Sequence, residues 1–227
     1  FTLLPVGSIT AYAEESSSIQ ISGSGTKEDP YIIKSSQELI DTINSKINTT
    51  GMYYKLSDDF DNTTVITKPL TDSIHFDGIF DGNGKTVNVN INVNKGNAGL
   101  FGSNYGQISN INVTGTISST SDWVGGICGE NNGQISNINV AGTIFGTSDH
   151  VGGICGENKK NGEIINCGNS ATVTGKRFVG GICGSNKQTI TGCSNEGSIA
   201  AKASYAGGIT GRNGTSTVDA LVENCTN

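Results

Sequence analysis

Apolar residues return along the second half of the chain in fixed columns. One column is Leu100, Ile127, Ile154, Ile182 and Ile209, and a second is Ile108, Ile135, Ile164, Ile190 and Val222. A third, three residues further on, is Ile111, Ile138, Cys167, Cys193 and Cys225, and a fourth is Ile117, Ile144, Val173 and Ile199. Glycines precede the first column at Gly99, Gly126, Gly153, Gly181 and Gly208, so the interval is 27 or 28 residues throughout. So regular an interval places equivalent side chains above one another on successive turns of a solenoid. Each turn adds its few apolar residues to an interior that no single turn could bury.

The polar positions between the columns are as regular. Asn104, Asn131, Asn158, Asn186 and Asn213 form one row. Asparagine tolerates the left-handed backbone of a tight corner, and amides stacked about 4.8 Å apart can also hydrogen-bond from rung to rung. A second row, Asn110, Asn137, Asn166 and Asn224, is interrupted only by Gly192. The second and third apolar columns lie three residues apart, so a strand of period two cannot bury both; a corner at the second asparagine row resolves the conflict. Each turn then reads strand, corner, strand, corner, strand, and parallel connections are overwhelmingly right-handed. The predicted fold is all-β, a single-stranded right-handed parallel β-helix (a β-solenoid) of 27–28-residue coils spanning residues 51–227.

The first third of the chain differs. Ser35 followed three residues later by Glu38 is a capping-box signature, and Leu39, Ile40, Ile43 and Ile47 share one helical face. This helix belongs to a small N-terminal cap over residues 14–50, which covers the open end of the solenoid. Val87, Val89, Ile91 and Val93 alternate with Asn88, Asn90, Asn92 and Asn94 as a half-buried strand, entered by the turn residues Asp81-Gly82-Asn83-Gly84. The apolar start from Phe1 to Ile9, followed by Ala11-Tyr12-Ala13, reads as the remnant (residues 1–13) of a secretory signal peptide cleaved after Ala13. The chain stops in mid-coil and is expected to continue beyond Asn227.

Composition narrows the class. Of 227 residues 33 are glycine, too many for a helical bundle, while the β-branched residues are too numerous for disorder. A formal net charge of −6 without a basic stripe excludes a nucleic-acid partner. No apolar run reaches the roughly 18 residues of a membrane span.

The repeated segments are VGGICGEN at residues 124–131 and again at 151–158, VGGICGSN from Val179, AGGITGRN from Ala206 and AGLFGSN from Ala98. The pattern GGI-x-G-x-N, continued as G-x-I-x-N or G-x-I-x-N-C, resembles the GLUG motif of bacterial secreted and surface proteins, including segments of immunoglobulin A peptidases. Five instances cover residues 98–227. The resemblance implies an exported β-helix segment.

Candidates for chemistry are few. Asp58, Asp59, Asp61, Asp77 and Asp81 are the best enzymatic lead, because glycoside cleavage needs two carboxylates at a defined separation. They also flank glycines, as turn residues do, and no Lys, Arg or His accompanies them in a recognisable pattern. Glu130 with Glu157, and Asp122 with Asp149, stack as rows that read as solvated surface. Trp123, His150, Phe178 and Tyr205 place four rings along one edge, either to bind a sugar or partner protein or to stack on one another. The six cysteines fall in two columns, Cys128, Cys155, Cys183 and Cys167, Cys193, Cys225, without metal-ligand spacing, and read as buried, mostly reduced fillers. No cofactor or metal site is expected.

The expected function is a non-enzymatic, secreted or cell-surface module of a bacterial protein, adhesin-like or a display stalk. It would bind an extracellular glycan or a host protein weakly through Trp123, His150, Phe178 and Tyr205, while the Asn104 row forms a structural ladder. The alternatives are a polysaccharide lyase or glycoside hydrolase, and an accessory segment of a larger secreted peptidase.

Overall fold

A computed structural model describes residues 21–45, 49–71, 74–215 and 219–227. The segment assigned to a signal peptide, residues 1–13, and the helical position Ile47 lie outside the described residues.

Strands stack into three parallel sheets, as the 27-residue period requires. The first holds eight: Tyr31–Ser35, Tyr53–Asp61, Ile79–Asp81, Gln107–Ser109, Gln134–Ser136, Glu163–Ile165, Thr189–Thr191 and Leu221–Glu223. The second contains the long strands Thr86–Val93, Asn112–Ser119, Asn139–Gly146, Thr172–Gly180 and Ile199–Gly207. The third runs through His75–Phe76, Phe101–Asn104, Cys128–Asn131, Cys155–Asn158, Cys183–Asn186 and Thr210–Asn213. The fold is a parallel β-solenoid, as the apolar columns predict. Ile135 pairs with both Ile108 and Ile164, Ile144 with both Ile117 and Val173, and the Ile127 amide donates to the Ile154 carbonyl at 2.9 Å.

The glycines have a steric cause. A Cβ on Gly126 would lie 2.4 Å from the Gly153 carbonyl oxygen, and one on Gly153 would lie 2.1 Å from that of Gly181. Successive backbones come too close there for any side chain, so the repeat keeps writing glycine at this point of the coil.

The corner predicted between the second and third columns is present. Asn110, Asn137, Asn166 and Asn224 take left-handed φ values of 56°, 54°, 52° and 52°, and Gly192, the exception in the row, takes 65°. The first row is the expected ladder, but the left-handed corner expected there is absent. Asn104, Asn131, Asn158 and Asn186 are fully buried at strand ends, and none has positive φ. Their amides form a continuous ladder, each Nδ2 donating to the next Oδ1 at 2.8–2.9 Å and ending on Asn213. A further ladder, not foreseen, joins Asn169, Asn195 and Asn227 at 2.7 Å per step, in a row where earlier coils carry Val113 and Val140.

At the N-terminal end the helix Ser36–Ser45 follows Ser35, whose hydroxyl accepts the Glu38 amide at 3.1 Å. The Glu38 carboxylate returns to the Lys34 amide, one residue before the cap, at 2.7 Å. Leu39 and Ile43 are buried by the helix. The strand Tyr31–Ser35 just before it already pairs in parallel with Tyr53–Asp61, so the first sheet begins inside the segment read as a cap. The interior of these first coils is aromatic. Tyr54, Phe76, Phe101 and Phe80 touch in sequence at centroid distances of 6.0, 5.0 and 5.5 Å, and burial pushes the Tyr54 hydroxyl up to about 12. In the next coils the register places Ile108 above Phe80 and Cys128 above Phe101. All six thiols are unpaired and every one but Cys225 is buried, with Cys128 and Cys155 3.8 Å apart at sulfur.

Candidate functional site

The aromatic edge is a stack. Trp123, His150, Phe178 and Tyr205 follow one another at centroid distances of 6.4, 5.1 and 5.1 Å, with interplanar angles of 14°, 14° and 5°. His150, Phe178 and Tyr205 hold φ of 57°, 51° and 64°, a conformation costly for bulky residues. Ring-on-ring contact worth about 0.5–1.5 kcal/mol per pair offsets that cost. Arg212 sits 4.6 Å from the Phe178 centroid and Arg177 5.6 Å, and Lys159 is 5.9 Å from Trp123. Both ring nitrogens of His150, and Nε1 of Trp123, are buried without a hydrogen-bond partner. Burial lowers the pKa of His150, against the opposing pull of Glu157 and Asp149. The faces of the inner rings are thus used on one another, and only Tyr205, 62% exposed, remains largely free.

Beside the stack runs the row Glu130, Glu157, Ser185 and Arg212. It was expected to be solvated, yet Glu157 is only 5% exposed. Lys187 reaches its carboxylate at 2.6 Å, and Lys159 bridges Glu130 at 2.5 Å and Glu157 at 3.6 Å. Burial works to raise the Glu157 pKa, but the hydrogen bond and charge of Lys187, with the charge of Lys159, leave it below the usual range. The lysines come from the corner after the amide ladder, a column whose side chains the period alone does not aim. In the other row Asp149 is clamped by Arg177, which also lowers its pKa, and Asp122 accepts from the Ser148 hydroxyl.

The five aspartates do not converge on one point. Asp61 accepts the Thr63 amide at 2.9 Å. Asp81 accepts the Asn83 amide at 2.9 Å and the Asn110 side chain at 3.0 Å, and Asp58 accepts the Asn83 side chain at 2.8 Å. These bonds hold corners, which is turn chemistry. The neighbouring Ser57 hydroxyl, with the charges of Lys34 and Lys85, lowers the pKa of the exposed Asp59. Asp77 is different. It accepts the hydroxyls of Thr49 and Thr50, and His75 Nε2 stands 3.9 Å from its carboxylate, the basic companion the sequence reading missed. His75 packs in turn against Tyr105 at 4.5 Å. His75 precedes the strict repeat, and Tyr105 lies in its first copy at a position where later copies carry Asn132, Lys159 and Lys187, so no column flags either.

Beyond Tyr105 a shallow groove of about 400 Å³ crosses the coils, lined by Asp77, Gly106, Gln107, Gln134, Asn161 and Glu163 among others. No helix among the described residues is long and apolar enough to cross a membrane.

No family model and no curated protein matches the chain, so the GLUG pattern stands as a resemblance of motif. Among solved structures the chain is similar to one from Bacteroides ovatus titled "putative immunoglobulin A1 protease", with a TM-score of 0.70 and 22% identity, over 90% of this chain and 68% of that one. At this identity the likeness establishes the parallel β-solenoid fold.

Proposed function

We propose that this chain is a non-catalytic β-solenoid module of an exported bacterial protein, presenting a stacked face for weak contact with an extracellular glycan or a host protein. One observation carries the reading: the side chains that promised chemistry are committed to the frame. Four of the five aspartates hold corners or neighbouring hydroxyls, and the inner aromatic rings stack on each other. Catalysis needs a unique constellation held apart from such duties. The likeness to a protein named for a protease activity supports a second reading, an accessory segment of a larger secreted peptidase.

Attachment to a mucin-coated surface tests the first reading. Tyr205→Ala removes the exposed end of the stack and should weaken attachment with little change in the circular-dichroism melt. Trp123→Ala with Phe178→Ala should weaken attachment and lower the melt, because both rings brace left-handed backbone or stacked neighbours. Attachment untouched by either variant would sink the aromatic edge as a contact strip. Release of reducing ends from a polysaccharide by the wild type, lost in Asp77→Asn, would overturn the non-catalytic reading.

A further inference from the structure

The groove beside Tyr105 sets an aromatic ring beside amide and carboxylate side chains. It crosses four rungs of the first sheet and its adjoining corner: Asp77 and Ile79 on one, Tyr105 and Gln107 on the next, Gln134 on the third, Asn161 and Glu163 on the fourth. Three rung spacings make it ~14 Å long. The Tyr105 ring stands 47% exposed at its side, steadied by His75. The outward row Gln107, Gln134 and Glu163 is in register, with Gln134 Nε2 donating to Glu163 Oε2 at 3.0 Å. Glycine keeps the floor low, since a Cβ on Gly133 would meet the Gly106 carbonyl at 2.1 Å.

These features select among ligands. An extended peptide would need a free strand edge, and the floor has none. The Gln107, Gln134 and Glu163 amides already donate to the Gly78, Gly106 and Gly133 carbonyls at 2.8–2.9 Å. Nor does the floor offer an apolar pocket for a side chain. What remains is a ring platform beside planar amides and carboxylates, a set that stacks on the C–H face of a pyranose and bonds its vicinal hydroxyls or amine. Asp77 and Glu163 mark two ends of the groove and no cationic side chain lines it, so acidic sugars are repelled.

We propose that this groove is a subsite for a neutral or amino-substituted di- or trisaccharide, with Tyr105 as the stacking platform and Gln107, Gln134 and Glu163 as the polar partners. It rests on the reading of the chain as a glycan-contacting module and moves the glycan from the aromatic stack to the first sheet.

Ligand-observed NMR on the full chain, with chitotriose, the free-amine glucosamine trimer and trigalacturonate as probes, tests it. The neutral and cationic trimers should bind and trigalacturonate should bind at least about tenfold more weakly, a difference of ~1.4 kcal/mol. Tyr105→Ala should weaken binding about tenfold at an unchanged melt, whereas Tyr105→Phe, which keeps the platform, should bind as the wild type does. Absence of binding by both the neutral and the cationic trimer at about 10 mM, beyond the range of even weak recognition, overturns the groove. Binding that survives Tyr105→Ala but fails in Trp123→Ala with Phe178→Ala also overturns it, while leaving the glycan-contacting module standing. Preference for trigalacturonate would refute the charge argument and with it the assignment.

Discussion

Two rows of asparagine run through the repeated coils, with the same residue and nearly the same interval, and they do opposite things. Asn104, Asn131, Asn158 and Asn186 are buried in ordinary backbone conformation and their amides are saturated. Asn131, for instance, donates to Asn158 Oδ1 and the Gly133 carbonyl while its own Oδ1 accepts from Asn104 and the Gly133 amide. Asn110, Asn137, Asn166 and Asn224 sit on the outside at left-handed corners, and glycine replaces asparagine there at Gly192. The first row is kept for what the side chain bonds, the second for what the backbone tolerates. A period identifies a column; it does not say which physics maintains it.

The largest effect should come from the inner row. Asn131→Ala strands the buried Asn158 acceptor and unpairs the half-buried Gly133 amide, each an unpaired polar group worth about 1–3 kcal/mol. A loss of about 3 kcal/mol in chemical denaturation is expected. A loss below about 1 kcal/mol would mean the ladder is decoration. The outer row should discriminate by shape instead. Asn137→Val forces a β-branched residue into left-handed backbone at a cost of about 1–2 kcal/mol, whereas Asn137→Gly should stay within about 0.5 kcal/mol of the wild type. Equal destabilisation by valine and glycine would show that the Asn137–Asn110 side-chain bond of 3.2 Å, not the corner, holds this row.

The same distinction explains what sequence reading could reach. The four apolar columns, the corner and the start of the helix follow from period and side-chain type alone, and all are present. The ladder of the Asn104 row is legible, but its lack of a left-handed corner is not, because asparagine suits both. The Asn169, Asn195, Asn227 ladder was hidden because it begins where two coils carry valine. Glu157 looked solvated because the lysines that cover it, Lys159 and Lys187, belong to another column. His75 and Asp77 precede the repeat, and Tyr105 is replaced by Asn132 and then lysine in later copies, so only their contacts in space join them.

His150 joins both regimes, with left-handed φ and ring nitrogens closed off from solvent, and so sharpens the comparison through pH. Burial depresses its pKa in the folded state, so its neutral form is the one the fold accepts. Stability is therefore full above the ordinary histidine value of about 6.5 and declines as pH falls below it, because the unfolded chain binds the proton first. Glu157, Asp149 and Asp122 face the ring with favourable charge and Arg212 with unfavourable charge. The lowered carboxylates Asp149 and Glu157 lose their own contributions only at more acid pH. The melting temperature should fall by a few degrees between pH 7 and pH 5, and His150→Phe, which retains the stack, should abolish that slope. A slope unchanged in the variant would assign the loss to another group.

The smallest effect should come from repairing the one break in the outer row. Gly192 already has the left-handed φ of its neighbours, so asparagine enters a conformation it tolerates and restricts the unfolded chain. The new Cβ would approach Asn166 Oδ1 at 2.3 Å, which is the end of a side chain that can turn. On the Asn110–Asn137 step below, the same two side chains settle into a hydrogen bond. Entropy gained and side-chain adjustment should nearly cancel, leaving Gly192→Asn within about 0.5 kcal/mol of the wild type. A loss above about 1 kcal/mol would mean that this corner, unlike the others in its row, is held by close approach rather than by backbone conformation, and that the outer row is not one column but two.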